Sequence, residues 1–349
     1  MKPFSFKKLI FTIVLFTLAY CNLFANEPSS DSGSSSKEVY NPVPSIMHHI
    51  SDSHEWHLWG ENEGAFTIPL PVILYTEGNL DIFLSSDFHH GHSKVTKENR
   101  TYSINHHDHI IEESGLPFID FSITKNVASM IIGLLVLLLL FGTSGLKAKK
   151  NIGAPSGILS FLEPLVLFVR DDIVKPNIGK NYNKYLPYLL TLFFFILVNN
   201  LLGLLPGSAN VTGNIAITLV LSFITLIVTN FSGNKSYWGH IFNPPGVPLA
   251  LMPIMIPIEI VGILTKPFAL MIRLFANISA GHIIILSLIS LIFMAQSGLG
   301  NIAAWSLSPV AVVFVLFMDL IEVLVAFLQA YIFTLLTSLF IGLATVDHH

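Results

Sequence analysis

Apolar and polar positions sort along this chain into three zones. At the start, Lys2, Lys7 and Lys8 precede an apolar run from Leu9 to Tyr20, and small residues lead to Ala25. This layout predicts a secretory signal over residues 1–25, with an uncleaved anchor as the alternative. Leu18 to Cys21 is similar to a lipidation signal, with bulky Tyr20 where a small residue is expected. Residues 26–125 form an exported region that opens with a Ser/Gly/Asp linker, Ser29 to Ser36. Its short β-prone runs Ala65–Leu74, Leu80–Leu84 and Thr101–Ile104, divided by Gly, Asn and Asp, predict a small β-rich module.

From residue 126 the pattern is that of a membrane protein. Val127–Leu146 matches the ~20 residues that cross a ~30 Å hydrocarbon core, and Lys147, Lys149 and Lys150 follow it. Ile158–Lys175 carries Glu163, Pro164, Arg170, Asp171 and Asp172 and reads as an interfacial helix. Leu186–Leu205 and Val211–Phe231 read as a transmembrane hairpin turning at Pro206-Gly207. Lysines and arginines collect on one side of these segments and are absent from loops 206–210 and 297–304. That asymmetry places the N-terminal region outside and the C-terminus in the cytoplasm.

Leu249–Ala295 and Ile302–Val346 are each far longer than one perpendicular crossing needs. They predict two strongly tilted helices turning at Gly298–Asn301, with Pro253, Pro257 and Pro267 bending or breaking the first near its start. Such a tilt is expected of helices that wrap around a partner. The fold class is therefore an all-α polytopic membrane protein: one transmembrane helix, a cytoplasmic interfacial helix, a hairpin and two long tilted helices, plus the β-rich exported module.

Composition sharpens this picture. Of 349 residues 52% are hydrophobic and 11% charged, against about 25% charged in soluble proteins. Residues 26–125 hold 15 acidic and 5 basic side chains and ten of the 14 histidines. The net charge of −4 argues against a nucleic-acid binder, and Cys21, the single cysteine, excludes a disulfide framework.

Most of the intramembrane chemistry lies on the long pair. Its first arm carries Glu259, Lys266, Arg273, Asn277 and His282; the second carries Asp319, Glu322 and Gln329. Ionisable groups inside a span each cost about 2.5–3.5 kcal/mol on insertion scales and mark polar pathways or pairs. Spacings of seven, from Glu259 to Lys266 to Arg273 and from Glu322 to Gln329, draw a polar stripe on each arm. Glu259 and Lys266 can alternatively snorkel at a membrane surface. For Arg273 the alternative is a structural ion pair with Glu322; for His282, a helix-packing hydrogen bond; for Asp319, a solvated position near a loop. In the exported region, His89, His90, His92, His106, His107 and His109 are weak candidates for zinc or copper. A solvated, proton-buffering surface is the other reading.

The run from Lys266-Pro267 through Arg273-Leu274-Phe275-Ala276-Asn277 to Gly281-His282 resembles subunit a of the membrane sector of F-type ATP synthases. Val198-Asn199-Asn200 through Pro206, Pro257-Ile258-Glu259 and Leu328-Gln329-Ala330 agree with it in order, and the match covers about residues 120–349. Asp52 to His57 and Ile68 to Pro71 resemble the tail of Bacteroidetes-type members.

The resemblance implies a proton-translocating stator in the bacterial inner membrane, over residues 126–349, that is not catalytic alone and needs no cofactor. Implied partners are the c-ring, the peripheral-stalk subunit b and, through the stalks, the catalytic head, besides lipid and protons. It implies that Arg273 faces the c-ring carboxylates, with Asn277 and Gln329 near it. His282 and Glu322 would serve the outer half-channel and Glu259 the cytoplasmic exit. Two departures stand out: Met271, where a small residue is usual, and Gly203, where some members carry an acid. The rival readings are a secondary transporter with a metal-capturing domain, which should show inverted repeats, and a structural anchor, which leaves Arg273 unexplained.

Overall fold

The computed structural model describes residues 40–59, 66–89, 93–97, 100–105, 109–150, 157–205, 207–243, 248 and 251–345. The signal segment, Cys21, the Ser/Gly linker and Pro206 lie outside the described residues. The chain divides into two compact units: Met1–Ile131 with Leu202–Val211 and Ser279–Val323, and Ile132–Leu201 with Thr212–Ile278 and Leu324–His349.

Among its described residues the first unit opens with helix α1 (Val43–Ile50), followed by eight short strands. These are β1 (Glu55–Trp59), β2 (Phe66–Pro69), β3 (Pro71–Thr76), β4 (Asn79–Leu84), β5 (Val95–Lys97), β6 (Arg100–Ile104), β7 (Ile110–Glu112) and β8 (Phe118–Asp120). They pair into three antiparallel sheets, ordered β1-β2, β4-β3-β8 and β5-β6-β7. The β3–β4 hairpin turns on Glu77 and Gly78, both at positive φ (48° and 91°), the geometry a two-residue hairpin loop requires.

Alternation along β3 sends Val72, Leu74 and Thr76 inward, where the apolar pair joins Phe83, Phe88, Val95, Tyr102 and Ile110. The Tyr102 hydroxyl in this core donates to Asp81 Oδ2 at 2.7 Å, and Arg100 Nη1 lies 3.2 Å from the same atom. Burial pushes the Tyr102 phenol above its usual pKa.

The module is tied to the chain that follows it. Asp52 accepts from Thr124 Oγ1 at 2.9 Å and from the Asn126 amide at 3.3 Å, and the Lys125 amide donates to Ser53 O. Trp56 Nε1 donates to Gly207 O at 2.7 Å. The Tyr40 amide donates to Ser297 Oγ, with its ring 6.0 Å from that of Phe293.

Helix α2 (Lys125–Lys150) follows. Next come α3 (Ile158–Phe168), a π turn (Val169–Val174), α4 (Lys175–Ile178) and, past Gly179 at φ 70°, α5 (Tyr182–Gly203). The segment expected to be an interfacial helix, Ile158–Lys175, is helical and leads through the π turn and Gly179 into α5. Asn177 Nδ2 and Ser338 Oγ both donate to Ile173 O in its widened turn.

Helix α6 (Ile215–Phe231) starts later than the expected 211. Val211–Gly213 form a 3₁₀ turn, and the Asn214 side chain caps the helix by accepting from the Ala216 amide. Bent by 102° against α6 is α7 (Lys235–Phe242).

The last two helices are α8 (Met252–Leu299, 48 residues) and α9 (Asn301–Thr345, 45 residues), joined at Gly300 with φ 89°. A bend or a break was expected at Pro253, Pro257 and Pro267; the chain stays helical through Pro257 and Pro267, so it does not break there. Neighbouring helices and local adjustment absorb the lost hydrogen bonds in apolar surroundings.

Four described helices are long and apolar enough to cross a membrane, Lys125–Ala148, Ile158–Gly203, Met252–Leu299 and Asn301–Thr345; α6 with α7 makes a fifth if the bent pair is one span. The second unit's core gathers Val169, Ile173, Leu189, Phe193, Ile196, Leu270, Leu274 and Ile341. Gly342 lies so close to the Asn177 carbonyl that a Cβ there would collide with it.

Candidate functional site

In the first unit, α8 and α9 run back from Gly300 as two arms of a hairpin. His282 stands 18 residues before that turn and Glu322 22 residues after it, which brings them together. His282 Nδ1 is 2.9 Å from Glu322 Oε1, and both side chains are buried (8% and 5% residue exposure). Close approach is possible because position 281 has no side chain; a Cβ on Gly281 would run into the Glu322 carboxylate. The other ring nitrogen, Nε2, is 3.1 Å from the carbonyl oxygen of Gly203. That carbonyl ends α5, where the last turn leaves acceptors without helical partners. Ser208 Oγ also donates to it, at 3.0 Å.

This geometry fixes a proton. A carbonyl can only accept, so Nε2 carries a hydrogen. Nδ1 therefore either accepts from a protonated Glu322 or, as imidazolium, donates to its carboxylate. In both forms the pair holds one exchangeable proton between Nδ1 and Oε1 and has no net charge, which is how two titratable groups can sit buried. Asp319, half-buried one turn before Glu322, lines a cleft with both, together with Leu204, Ile285, Leu286 and His49.

The second unit holds the other expected residues. Arg273 and Asn277 lie on an exposed face of α8, while Leu270, Met271 and Leu274 point into the core. Among the described residues Arg273 forms no ion pair. Glu322, its alternative structural partner, is engaged by His282. Small side chains, Ala269 and Ala276, flank Arg273 on its open face. Met271, the departure from the usual small residue, is 4% exposed and so lies off that face.

Lys266 is exposed, with Nζ 5.4 Å above the Phe340 ring; Glu259 is half-buried. Gln329 is buried. Near it in sequence, Ala326 O accepts from Asn200 Nδ2, and Asn200 Oδ1 accepts from Thr212 Oγ1 at 2.6 Å.

Of the histidines considered as metal ligands, His90, His92, His106 and His107 lie outside the described residues. Among the described residues, which include His89 and His109, no three His, Cys, Asp or Glu side chains gather to hold an ion. The Gly203 carbonyl, Gly281 and His49 were missed by the sequence reading. The first acts through a backbone atom, the second through an absent one, and the third depends on how a short helix docks.

Apolar helices with an internal proton-sharing pair and an open-faced arginine define a polytopic membrane protein with ionisable machinery inside its helical layer. A family model described as ATP synthase A chain matches residues 127–342, and the chain belongs to that family, a membrane subunit of the ATP synthase complex. A second model, described as a domain of unknown function (DUF8433), matches residues 45–125.

Among curated relatives, "ATP synthase subunit a 2" of Chlorobaculum tepidum is 49% identical over 239 residues, covering 66% of each chain. "ATP synthase subunit a" of Chlorobium phaeobacteroides is 51% identical over 233 residues, 65% of this chain and 67% of the relative. The Myxococcus xanthus subunit a is 42% identical over 238 residues, 66% of this chain and 76% of its own. The chain thus matches about two thirds of the length of the first two relatives.

Proposed function

We propose that this chain is the proton-translocating stator of an F-type ATP synthase in a bacterial inner membrane. It works against a ring of c subunits and is held by the peripheral-stalk subunit b, which connects it to the catalytic head. Residues 1–25 are its signal, 26–125 a periplasmic region, and 126–349 the stator domain with a cytoplasmic C-terminus.

The observation that carries this reading is Arg273: a permanent cation on an exposed face of an apolar helix, without an ion-pair partner among the described residues. A charge in hydrocarbon is costly alone, so its counter-ion comes from another chain, and the alanines beside it let a helix approach closely.

Opposite Arg273 a ring carboxylate is stable as the anion, because the facing cation lowers its pKa. Away from it, against lipid, the carboxylate must carry a proton. Protons from outside reach the ring through Asp319 and the His282–Glu322 pair, which passes a proton along the Nδ1–Oε1 line. Release to the cytoplasm runs past Glu259. Asn277 and Gln329 supply neutral hydrogen bonds near Arg273. By repelling protons between the two routes, Arg273 makes ring rotation the only connection. A helix of 48 residues, about 72 Å long, is inclined to stay within a ~30 Å core, as a curved ring surface requires.

The test is a cross-link. Ala269→Cys in the assembled complex, paired with a cysteine beside the carboxylate of a ring subunit, should form a disulfide on oxidation and halt ATP-driven proton pumping until it is reduced. Absence of an adduct at every ring position tried would remove the ring from this face.

A further inference from the structure

The mechanism leaves the exported module without a role, yet α1 of that module reaches the proton-sharing pair. His49 lines the cleft that holds His282, Asp319 and Glu322. It also lines a second cleft, walled by Ser53, Glu55, Trp56, His57, Lys125, Gly207 and Ser208. Among their lining residues only His49 is common to the two. The first cleft is apolar apart from its four titratable side chains; the second carries Glu55, His57, Lys125 and two serines.

This placement is built, because hydrogen bonds hold the chain at His49 and just after it, into β1. Lys125 Nζ donates to the His49 carbonyl at 3.1 Å, Asp52 is held by Thr124 and Asn126, and Trp56 is anchored on the Gly207 carbonyl. Gly207 and Ser208 follow closely on Gly203, the last residue of α5, whose carbonyl orients His282. The end of α5 and the residues after it thus supply both the acceptor that fixes His282 and an anchor for the module.

Resting on the stator reading above, we infer that the exported module forms the outer mouth of the proton-entry path and that His49 is its relay. Imidazole suits this work, since one ring nitrogen can accept a proton while the other gives one up, and it titrates within the physiological range. His49 takes a proton from the water-facing cleft of Glu55, His57 and Lys125. It delivers one toward Asp319 and the His282–Glu322 pair, returning to its neutral form with no net change in charge. Glu55 and His57 gather protons at the mouth, while Lys125 limits the access of other cations.

The experiment uses the whole complex in inverted vesicles, with assembly checked by blotting, and compares wild type, His49→Ala, His49→Gln, His109→Ala and Arg273→Ala. ATP-driven acidification is read with and without imidazole trapped in the lumen, the compartment equivalent to the periplasm. The expected result is a several-fold slower flux in both His49 variants and substantial recovery with imidazole. His109→Ala should pump normally. If His49→Ala does not assemble, His49→Gln carries the test, since it keeps a polar side chain and loses titration. Wild-type flux in the His49 variants, or a loss that imidazole leaves unchanged, overturns the relay. Wild-type pumping by Arg273→Ala would instead overturn the stator reading on which the relay depends.

Discussion

At the scale of single residues, the geometry around His282 depends on one backbone carbonyl and one missing side chain. Gly203 offers a bare carbonyl to Nε2, and Gly281 leaves the space that Glu322 Oε1 fills. Replacing Gly281 with alanine forces the carboxylate away from Nδ1 and strands two buried titratable groups. Loss of the partner of a buried polar group costs about 1–3 kcal/mol, more when it is charged. We expect Gly281→Ala to assemble poorly or to pump at a small fraction of the wild-type rate, measured as ATP-driven acidification per assembled complex. His282 and Glu322 were legible in the sequence as ionisable residues on the two apolar arms, and the family resemblance paired them. Neither glycine was, because a backbone carbonyl and a missing Cβ leave no chemical signature in a one-letter code.

Elements were legible in proportion to their periodicity. The spans near Val127, Leu186, Leu249 and Ile302 match helices α2, α5, α8 and α9, because long apolar runs leave a chain few alternatives in lipid. Departures fall where local chemistry overrides length: Asn214 caps α6 and shortens it, and the helical segment after Ile158 widens into a π turn at Val169–Val174. Buried polar links between elements were also out of reach of pattern alone. Asn200 joins the end of α5 to Ala326 of α9 and to Thr212, all within the second unit. Asn200→Ala leaves a buried hydroxyl and a carbonyl without these bonds, so a loss of roughly 1–3 kcal/mol is expected. It should appear as a lower midpoint for thermal aggregation of the detergent-solubilised complex, while Asn277→Ala, on an exposed face, should leave that midpoint nearly unchanged.

For the whole molecule, the β-rich module ahead of α2 is a folded part with its own pH limit. Burial by itself would raise the Asp120 carboxyl. Hydrogen bonds from His54, at 3.3 Å, and from Ser122 outweigh it and hold the group below its ordinary 3.8. A lowered carboxyl stabilises the fold at every pH above its unfolded value, and that contribution disappears as pH falls through the folded value. Limited proteolysis of the exported region in intact complexes should therefore accelerate below about pH 4, and His54→Gln should flatten the dependence. The β-prone runs revealed a module but not its docking, since three small sheets leave many arrangements open. The placement of His49 against the membrane helices comes from the three-dimensional structure alone.

The central claim is that Arg273 keeps two proton routes apart and couples them through a rotating partner. The most direct measurement takes inverted vesicles carrying assembled Arg273→Ala complexes and records two fluxes. One is ATP-driven pumping; the other is passive proton conduction after the catalytic head has been stripped. The account predicts that pumping is abolished while passive conduction persists, because protons then cross without turning the ring. Pumping at the wild-type rate in a fully assembled variant would contradict it.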